Sequence, residues 1–317
     1  MKHLAPNYCK EFQCIADRCR HSCCIGWEID VDEDSLRYYE SVDHPFGKKL
    51  AANIERDGEQ AHFRLVGEQE RCPFLQPNGL CEMILTLGEE SLCDICREHP
   101  RYYLYLANRE EMGLGLCCEE AARLILSQTE DTVMELIDDD GETEPTDAWE
   151  RDLVAARARI FAKLQTRTDP LHARINALLS EYGAVFPDLS PAEWCDKLSA
   201  LEILDPAWDR TLDMLRTLEN THDTEWQMPF EKLLLYLLYR HTAAAEDLRD
   251  LRARIAFACL GYHVVRWLSA AKKQADRSID LSDIVGLARR YSSEIEYSED
   301  NTESLLSFLR LHQPDTT

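Results

Sequence analysis

Eleven of the thirteen cysteines in this 317-residue chain fall within its first 118 residues. They run as C-x4-C-x3-C-C at Cys14, Cys19, Cys23 and Cys24, as C-x8-C at Cys72 and Cys81, and as C-x2-C at Cys93 and Cys96, followed by Cys117-Cys118. A fold that contains so many soft sulfur donors must either bridge them, bury them or fill them with metal. The opening residues Met1 to Pro6 lead into polar and cysteine positions without an apolar signal region, so a cytoplasmic chain with reduced thiols is expected. Short paired spacings in that setting point to a metal centre rather than to disulfides. The bland alternative is a set of free, buried small hydrophobes.

Charge narrows the partners. Lys and Arg number 35 against 59 Asp and Glu, a formal net charge of -24, which repels a phosphate backbone or an anionic membrane. Neither nucleic acid nor membrane is an expected partner, and no apolar run approaches the roughly 18 residues that a membrane span needs. The length suits two domains at roughly 100–200 residues each.

Along the chain, Trp27 to Asp32 alternates apolar and acidic residues as a strand does, Asp34 to Ile54 reads as helix interrupted at His44-Pro45 and Gly47, and His62 to Val66 is a second short strand. Between Arg71 and Cys81, Pro73, Pro77 and Asn78-Gly79 make a turn-rich loop that brings Cys72 and Cys81 together. Cys81 to Leu87 reads as a short helix, and Cys93 and Cys96 share a face of a helical turn that ends at His99-Pro100. Tyr102 to Ala107 and Met112 to Leu116 suggest a hairpin, and Glu119 opens a strong helix. The acidic run around Asp138 to Glu144 suggests a solvated linker over 131–147. Beyond it the pattern predicts helices at 148–165, 170–182, 190–203, 206–219, 229–244, 246–274, 280–294 and 301–312, with Pro170, Pro191, Pro206 and Pro229 at their starts. The expected fold class is therefore α+β: a cysteine-rich metal-binding domain with short strands over 1–130, the linker, and an all-α domain over 148–317.

Thiolates at these spacings suit zinc or an iron–sulfur cluster, since both accept four cysteines. A second C-x2-C pair, as in a zinc ribbon, is missing, and the irregular spacing and surplus of cysteines favour iron–sulfur or two sites; zinc remains the alternative metal. Glu111-Met112-Gly113-Leu114-Gly115 superficially matches the acidic-x-G-x-G loop of Rossmann-type methyltransferases, but no helix is expected to start there and no β-α alternation follows, so hairpin glycines are the better reading. His21 and His99 lie beside cysteines, where a lone histidine is more often a surface or supporting group than a ligand.

Taken together, Tyr8-Cys9-Lys10-Glu11-Phe12-Gln13-Cys14, Cys23-Cys24-Ile25-Gly26-Trp27, Cys72-Pro73-Phe74-Leu75, Gly79-Leu80-Cys81, Gly88-Glu89, Cys96 with Pro100-Arg101, and Cys118-x-Glu120-Ala121-Ala122-Arg123-Leu124 resemble the FliB-type flagellin lysine-N-methylase family. The likeness covers the first 125 residues and, more loosely, the helical remainder with its Tyr297 to Asn301 run. The cysteine part also resembles small zinc- or iron-chelating proteins with a CPFL-type segment. The resemblance implies a cytoplasmic enzyme that methylates lysines of flagellin with S-adenosylmethionine as donor, and an iron–sulfur cluster, expected as 4Fe-4S. It implies Cys14, Cys19, Cys23, Cys24, Cys72, Cys81, Cys96 and Cys118 as ligands, whereas Cys9, Cys93 and Cys117 sit beside matched positions without matching a family cysteine.

The chain departs from the radical S-adenosylmethionine pattern C-x3-C-x2-C, because the third position after Cys19 and Cys23 is Gly26. Polar transfer, in which a neutral lysine amine attacks the sulfonium methyl group in line, needs only positioning and a proton acceptor. Glu28, Asp30, Tyr102, Tyr103 and Glu120 stand beside the cysteine motifs as candidates, each with an ordinary strand or helix-face role as its plain alternative. A second function class is a non-catalytic zinc or iron–sulfur protein whose helical half docks a partner; binding of S-adenosylmethionine separates the two.

Overall fold

The computed structural model describes residues 1–58, 60–106, 108–141, 145–219 and 226–315. In chain order the elements begin with β1 (Lys2–Pro6), β2 (Asp30–Val31), α1 (Glu33–Ser41), α2 (Pro45–Ala52), β3 (Ile54–Asp57) and β4 (Gln60–Phe63). They continue with α3 (Glu82–Leu87), α4 (Asp94–Glu98), β5 (Arg101–Leu106), β6 (Arg109–Leu114), α5 (Glu119–Leu126) and β7 (Met134–Asp139). Eight helices follow: α6 (Ala148–Gln165), α7 (Leu171–Tyr182), α8 (Pro191–Ser199), α9 (Pro206–Leu212), α10 (Gln227–Thr242), α11 (Leu248–Asp276), α12 (Leu281–Tyr291) and α13 (Glu299–Leu311). The fold is α+β, as the pattern predicts.

The chain divides into two compact units, and the division differs from the expected one. One unit comprises residues 13–102 and 118–120; the other comprises 1–12, 103–117 and 121–317. The physical reason is a four-stranded sheet of order β5-β6-β1-β7, which ties the first residues to the helical part. Strand β1 runs parallel to β6, with Lys2 opposite Arg109, and antiparallel to β7, with Lys2 opposite Asp139 and Pro6 opposite Met134. Residues 134–139 of the expected acidic linker over 131–147 thus form strand β7, held in part by Lys10 Nζ at 2.8 Å from Glu135; residues 142–144 of that stretch lie outside the described residues. The larger unit is accordingly not all-α. Ala107, the last residue of the expected hairpin strand, also lies outside the described residues.

In the larger unit the helices start where the sequence places caps. Ser190 and Glu193 form a reciprocal capping box ahead of α8, Asp280 and Asp283 do the same for α12, and Asp147 and Asp247 cap α6 and α11. Helix α11 packs against α10, α12 and α13, and its residues from Ile255 to Leu268 are buried on almost every face. Gly261 permits the close approach: a Cβ there would meet Leu237 Cδ1 at 2.8 Å and the Tyr291 ring at 3.0 Å. The expected helix over 280–294 ends at Tyr291, and Ser292–Glu296 forms a π-helical turn before α13; that over 190–203 ends at Ser199.

The smaller unit has a three-stranded antiparallel sheet, β2-β4-β3, with Asp30 opposite His62 and Ile54 opposite Phe63. The strand expected from Trp27 shortens to Asp30–Val31 because Trp27 and Glu28 are exposed and do not join the ladder. Asp32 caps α1 through Ser35 N and also accepts Asp94 N at 2.9 Å, which locks the start of α4 to α1.

Replacing Gly261 with Ala should destabilise the larger unit by about 1–3 kcal/mol through overpacking, measured by denaturant unfolding. A pH effect follows from His263, whose ring stacks on Phe186 at 5.0 Å and Trp267 at 5.1 Å. Burial, with Arg266 adding to it, pushes its pKa down to about 3. The unfolded chain binds that proton near pH 6.5, so the stability held above that pH falls by up to about 1.4 kcal/mol per pH unit on acidification. His263→Phe should flatten the stability profile between pH 6.5 and 4.

Candidate functional site

The cysteines of the smaller unit sit on a scaffold that begins with Phe74. Its side chain is fully buried, edge-on to Phe63 with centroids 5.0 Å apart and 5.7 Å from Phe46. On this anchor the Cys72–Cys81 loop closes as the turn chemistry predicts: Gln76 N donates to Leu80 O at 2.9 Å, Glu82 N to Phe74 O at 2.8 Å, and Leu75 bridges Cys81. Gly79 takes φ +81° at the tip, where Asn78 Oδ1 accepts Leu80 N at 3.1 Å. Cys72 N donates to Cys24 O at 2.8 Å, which ties the first cysteine run to this loop.

The thiols separate into two groups. Cys72 and Cys93 are buried in the unit's apolar core, and Cys24, Cys81 and Cys96 pack against that core. Burial, with the neighbouring Cys24 and Cys81 thiols adding to it, pushes Cys72 up to about 12; burial likewise raises Cys81. Cys93 and Cys96 share a hydrogen bond that lowers the first and raises the second; in the pair Cys23 and Cys24 the order is reversed, Cys23 being raised and Cys24 pushed down to about 7 by their shared bond. The second group is nearer the surface: Cys14 and Cys23 are exposed, and Cys23 lies within electrostatic reach of Cys118 and Cys14. Cys19 Sγ donates to Glu119 Oε2 at 3.9 Å. The same carboxylate accepts Arg20 N at 2.9 Å, Arg20 Nε at 2.8 Å and His21 Nδ1 at 3.0 Å, and so tethers the 19–21 segment. Burial would raise Glu119, but the hydrogen bonds from Arg20 and His21 hold it below the usual carboxylate range.

All eight cysteines implied as ligands therefore fall in the smaller unit, and Cys93 joins them, whereas Cys9 and Cys117 belong to the larger unit. The donor chemistry, many soft sulfurs in one small core, fits thiolate ligation. A closed cage is not formed: among the described residues, no three His, Cys, Asp or Glu side chains are placed to hold one metal ion. Of the histidines, His21 is engaged by Glu119, and His99 has its pKa lowered by burial.

The candidate proton acceptors scatter. Glu28 is exposed; Glu120 is buried at the start of α5; Tyr102 and Tyr103 are half-buried on β5, the latter with its ring 6.5 Å from that of Tyr105. Asp30 lines a cleft of about 310 Å³ whose walls are Val31, Leu36, Ala61 and Ile95 together with Asp32, Glu33 and Asp94. Gly113 falls in β6, and Gly115 is explained by packing, since a Cβ there would collide with the Tyr297 hydroxyl. No helix starts at the motif itself, which ends strand β6, and the helix expected from Glu119 begins there.

Sequence reasoning missed a buried polar network in the larger unit. Glu296, in the π-helical turn, is reached by His241 Nε2 at 2.7 Å and by the Tyr236 hydroxyl at 3.2 Å. Arg240 Nη1 donates to the Tyr236 hydroxyl at 2.9 Å, and its guanidinium lies 4.7 Å from the Tyr297 ring centroid. Burial would raise Glu296, but Arg240 and then His241 hold it low. The Tyr297 to Asn301 run next to it supplied the sequence's one signal: Ser298 caps α13, and Asn301 binds Glu294 O at 2.8 Å and Glu202 O at 2.9 Å.

Residues 109–316 match the family described as FliB lysine N-methylase C-terminal domain. The chain belongs to the FliB lysine N-methylase family. Within the likeness to curated FliB-type proteins, lysine-N-methylases of Salmonella typhimurium and Salmonella choleraesuis are each 26% identical over 127 residues, covering 38% of this chain and 32% of the relative. The flagellar biosynthetic protein FliU of Salmonella muenchen is 28% identical over 127 residues, 38% of this chain and 75% of that protein. The matched stretch thus spans about a third of the length of the two lysine-N-methylases. No solved structure matches the chain, and no helix among the described residues is long and apolar enough to cross a membrane.

Phe74→Ala should destabilise the smaller unit by about 3–5 kcal/mol, because the void cannot collapse under two neighbouring rings. Faster alkylation of Cys72 and Cys81 by a thiol reagent would accompany the loss in denaturant midpoint; unchanged thiol reactivity would separate the loop from its anchor.

Proposed function

We propose that this protein is a cytoplasmic methyltransferase that moves the methyl group of S-adenosylmethionine to lysine side chains of flagellin, and that its smaller unit carries a thiolate-bound iron–sulfur cluster. The observation that carries the reading is the family match across 109–316, two of whose relatives are named lysine-N-methylases; the FliU name connects another relative to the flagellum. The cluster is supported by the gathering of Cys24, Cys72, Cys81, Cys93 and Cys96 in one core. When bound, it would supply a covalent cross-link between chain segments and fix the unit's fold.

The chain's own residues supply recognition. A net charge of -24 attracts a cationic lysine, over a range that salt screens with a Debye length of about 8 Å. The cleft at Asp30 suits that side chain: Val31, Leu36, Ala61 and Ile95 offer contact to the aliphatic stem, and the carboxylates at its edge meet the ammonium group. The nucleophile must be the neutral amine, whose reference pKa is about 10.4, so partial desolvation and a carboxylate acceptor must remove the proton before attack on the methyl carbon. The carbon–sulfur bond breaks as the nitrogen–carbon bond forms, and the proton leaves through the acceptor to solvent.

Two dependences test this. With purified flagellin and labelled S-adenosylmethionine, the transfer rate should rise with pH from neutral to mildly alkaline and its second-order constant should fall as salt is added. Asp30→Asn should lower kcat/KM by about a hundredfold, the lower end of the range for loss of a general base. A transfer rate insensitive to pH and salt, with chemistry limiting, would contradict the recognition scheme.

A further inference from the structure

In the sheet of the larger unit, β7 lies at one end of the order β5-β6-β1-β7 and has β1 as its one neighbour among the described residues. The register shows which backbone groups that neighbour leaves bare. Asn7 N donates to Val133 O at 2.8 Å, and Pro6, opposite Met134, has no N–H to give. Antiparallel pairs alternate between bonded and non-bonded, so Val133 and Glu135 turn toward β1 while Met134 and Leu136 turn their N–H and C=O groups outward. The register shifts between His3 and Leu4, which leaves Ile137 without a partner on β1. The regular part of the free edge therefore runs from Val133 to Leu136.

The side chains along this edge do not protect it in the usual way. Val133, Leu136 and Ile137 are 55%, 56% and 58% exposed, and β7 has none of the lysines or prolines that commonly blunt an edge strand. Acidic groups stand there instead. Glu135 is held by Lys10 and Asp131 by Arg167, each at 2.8 Å. Asp138 and Asp139 are exposed, and among the described residues their carboxylates hold backbone N–H groups, of Asp139 at 2.9 Å and Gly141 at 3.0 Å, and no cation. This combination selects an occupant. A second copy pairing its Leu136 with Met134 would set the two Glu135 side chains directly opposite each other, and like charges in that position destabilise a strand pair. A cationic strand meets the reverse: its backbone completes Met134 and Leu136, its apolar side chains cover Leu136, and its lysines face Asp138 and Asp139.

We infer that the free edge of β7 docks an extended, lysine-bearing segment of a partner protein, which adds to the sheet as a fifth strand. Under the proposed function that partner is flagellin, and the inference rests on that reading for the partner's name. The edge supplies the chemistry: unpaired backbone groups at Met134 and Leu136, exposed apolar side chains, and two carboxylates without a cation. Main-chain bonds give such a site its affinity, and the alternating side chains give it its preference for a cationic strand.

The test uses the full chain and two short labelled peptides, one alternating valine with lysine and one alternating valine with glutamate. Fluorescence anisotropy reads binding, and hydrogen exchange locates it. The lysine peptide should bind and protect the Met134 and Leu136 amides, the glutamate peptide should not bind, and added salt should weaken the complex. A backbone hydrogen bond is worth up to about tenfold in affinity, so methylating the central backbone nitrogens of the lysine peptide should cost about tenfold or more. Leu136→Pro removes an outward donor and spares the ladder to β1, and should weaken binding by about tenfold; Asp138→Lys with Asp139→Lys should also weaken it. Should Leu136→Pro fail to fold, the methylated peptide decides on the unsubstituted chain. Equal affinity for the methylated peptide, protection confined to other amides, binding of neither peptide, or self-association of the chain through β7 would each overturn the inference. Methyl transfer to flagellin, measured on the same samples, reports separately on the proposed function. A chain that docks the lysine peptide at β7 but transfers no methyl group overturns only the methyltransferase reading. One that methylates flagellin with the same KM after Leu136→Pro overturns only the docking site.

Discussion

The larger unit depends on burying a helix that has no solvent face along most of its length. From Ile255 to Leu268, α11 presents apolar or small residues almost all round, so α10, α12 and α13 must close over it. Burial at that density constrains every polar group nearby, because an unpaired charge in such an interior costs several kcal/mol. Glu231 illustrates the solution: it is 2% exposed and receives Arg174 at 2.7 Å and Arg167 at 2.7 Å. Glu111 is met by Arg157 at 2.8 Å, and Glu296 by His241.

The smaller unit solves a different problem. Its strands are short and its core is small, built on Phe46, Phe63, Phe74, Tyr39 and Met83, so the cysteines form a real fraction of what is buried. A core of that size gains little from apolar burial, and cross-linking through metal is a common remedy for small folds. The Tyr39 hydroxyl bond to Ser91 O at 2.8 Å and the Asp32 bridge between α1 and α4 show how few polar contacts position the thiols.

Much of this was legible in the sequence where the signal is local. Proline and Asx starts located α6 to α13 closely, and Pro73 with Asn78-Gly79 foretold the loop that joins Cys72 to Cys81. Long-range pairing was not legible: β1 meets β6 across more than a hundred residues, and nothing in Lys2 to Pro6 alone announces a parallel partner. For the same reason the acidic run near Asp138 read as a linker, since its charges are the usual sign of solvation and its partner strand is the chain's first segment. The π-helical turn at Ser292–Glu296 and its buried carboxylate were hidden because an acidic residue late in a helical pattern looks like an exposed one.

The family membership rests on the helical part of the chain, while the chemistry suggested by composition lies among the cysteines, and the account joins them in one methyltransferase. Incubating the full protein, handled without oxygen, with unmodified flagellin and methyl-labelled S-adenosylmethionine, then mapping flagellin peptides by mass spectrometry, tests that union most directly. The account predicts labelled methyl groups on lysine side chains and none when the donor is omitted. Flagellin recovered without label, from protein shown to be folded and metal-loaded, would contradict it.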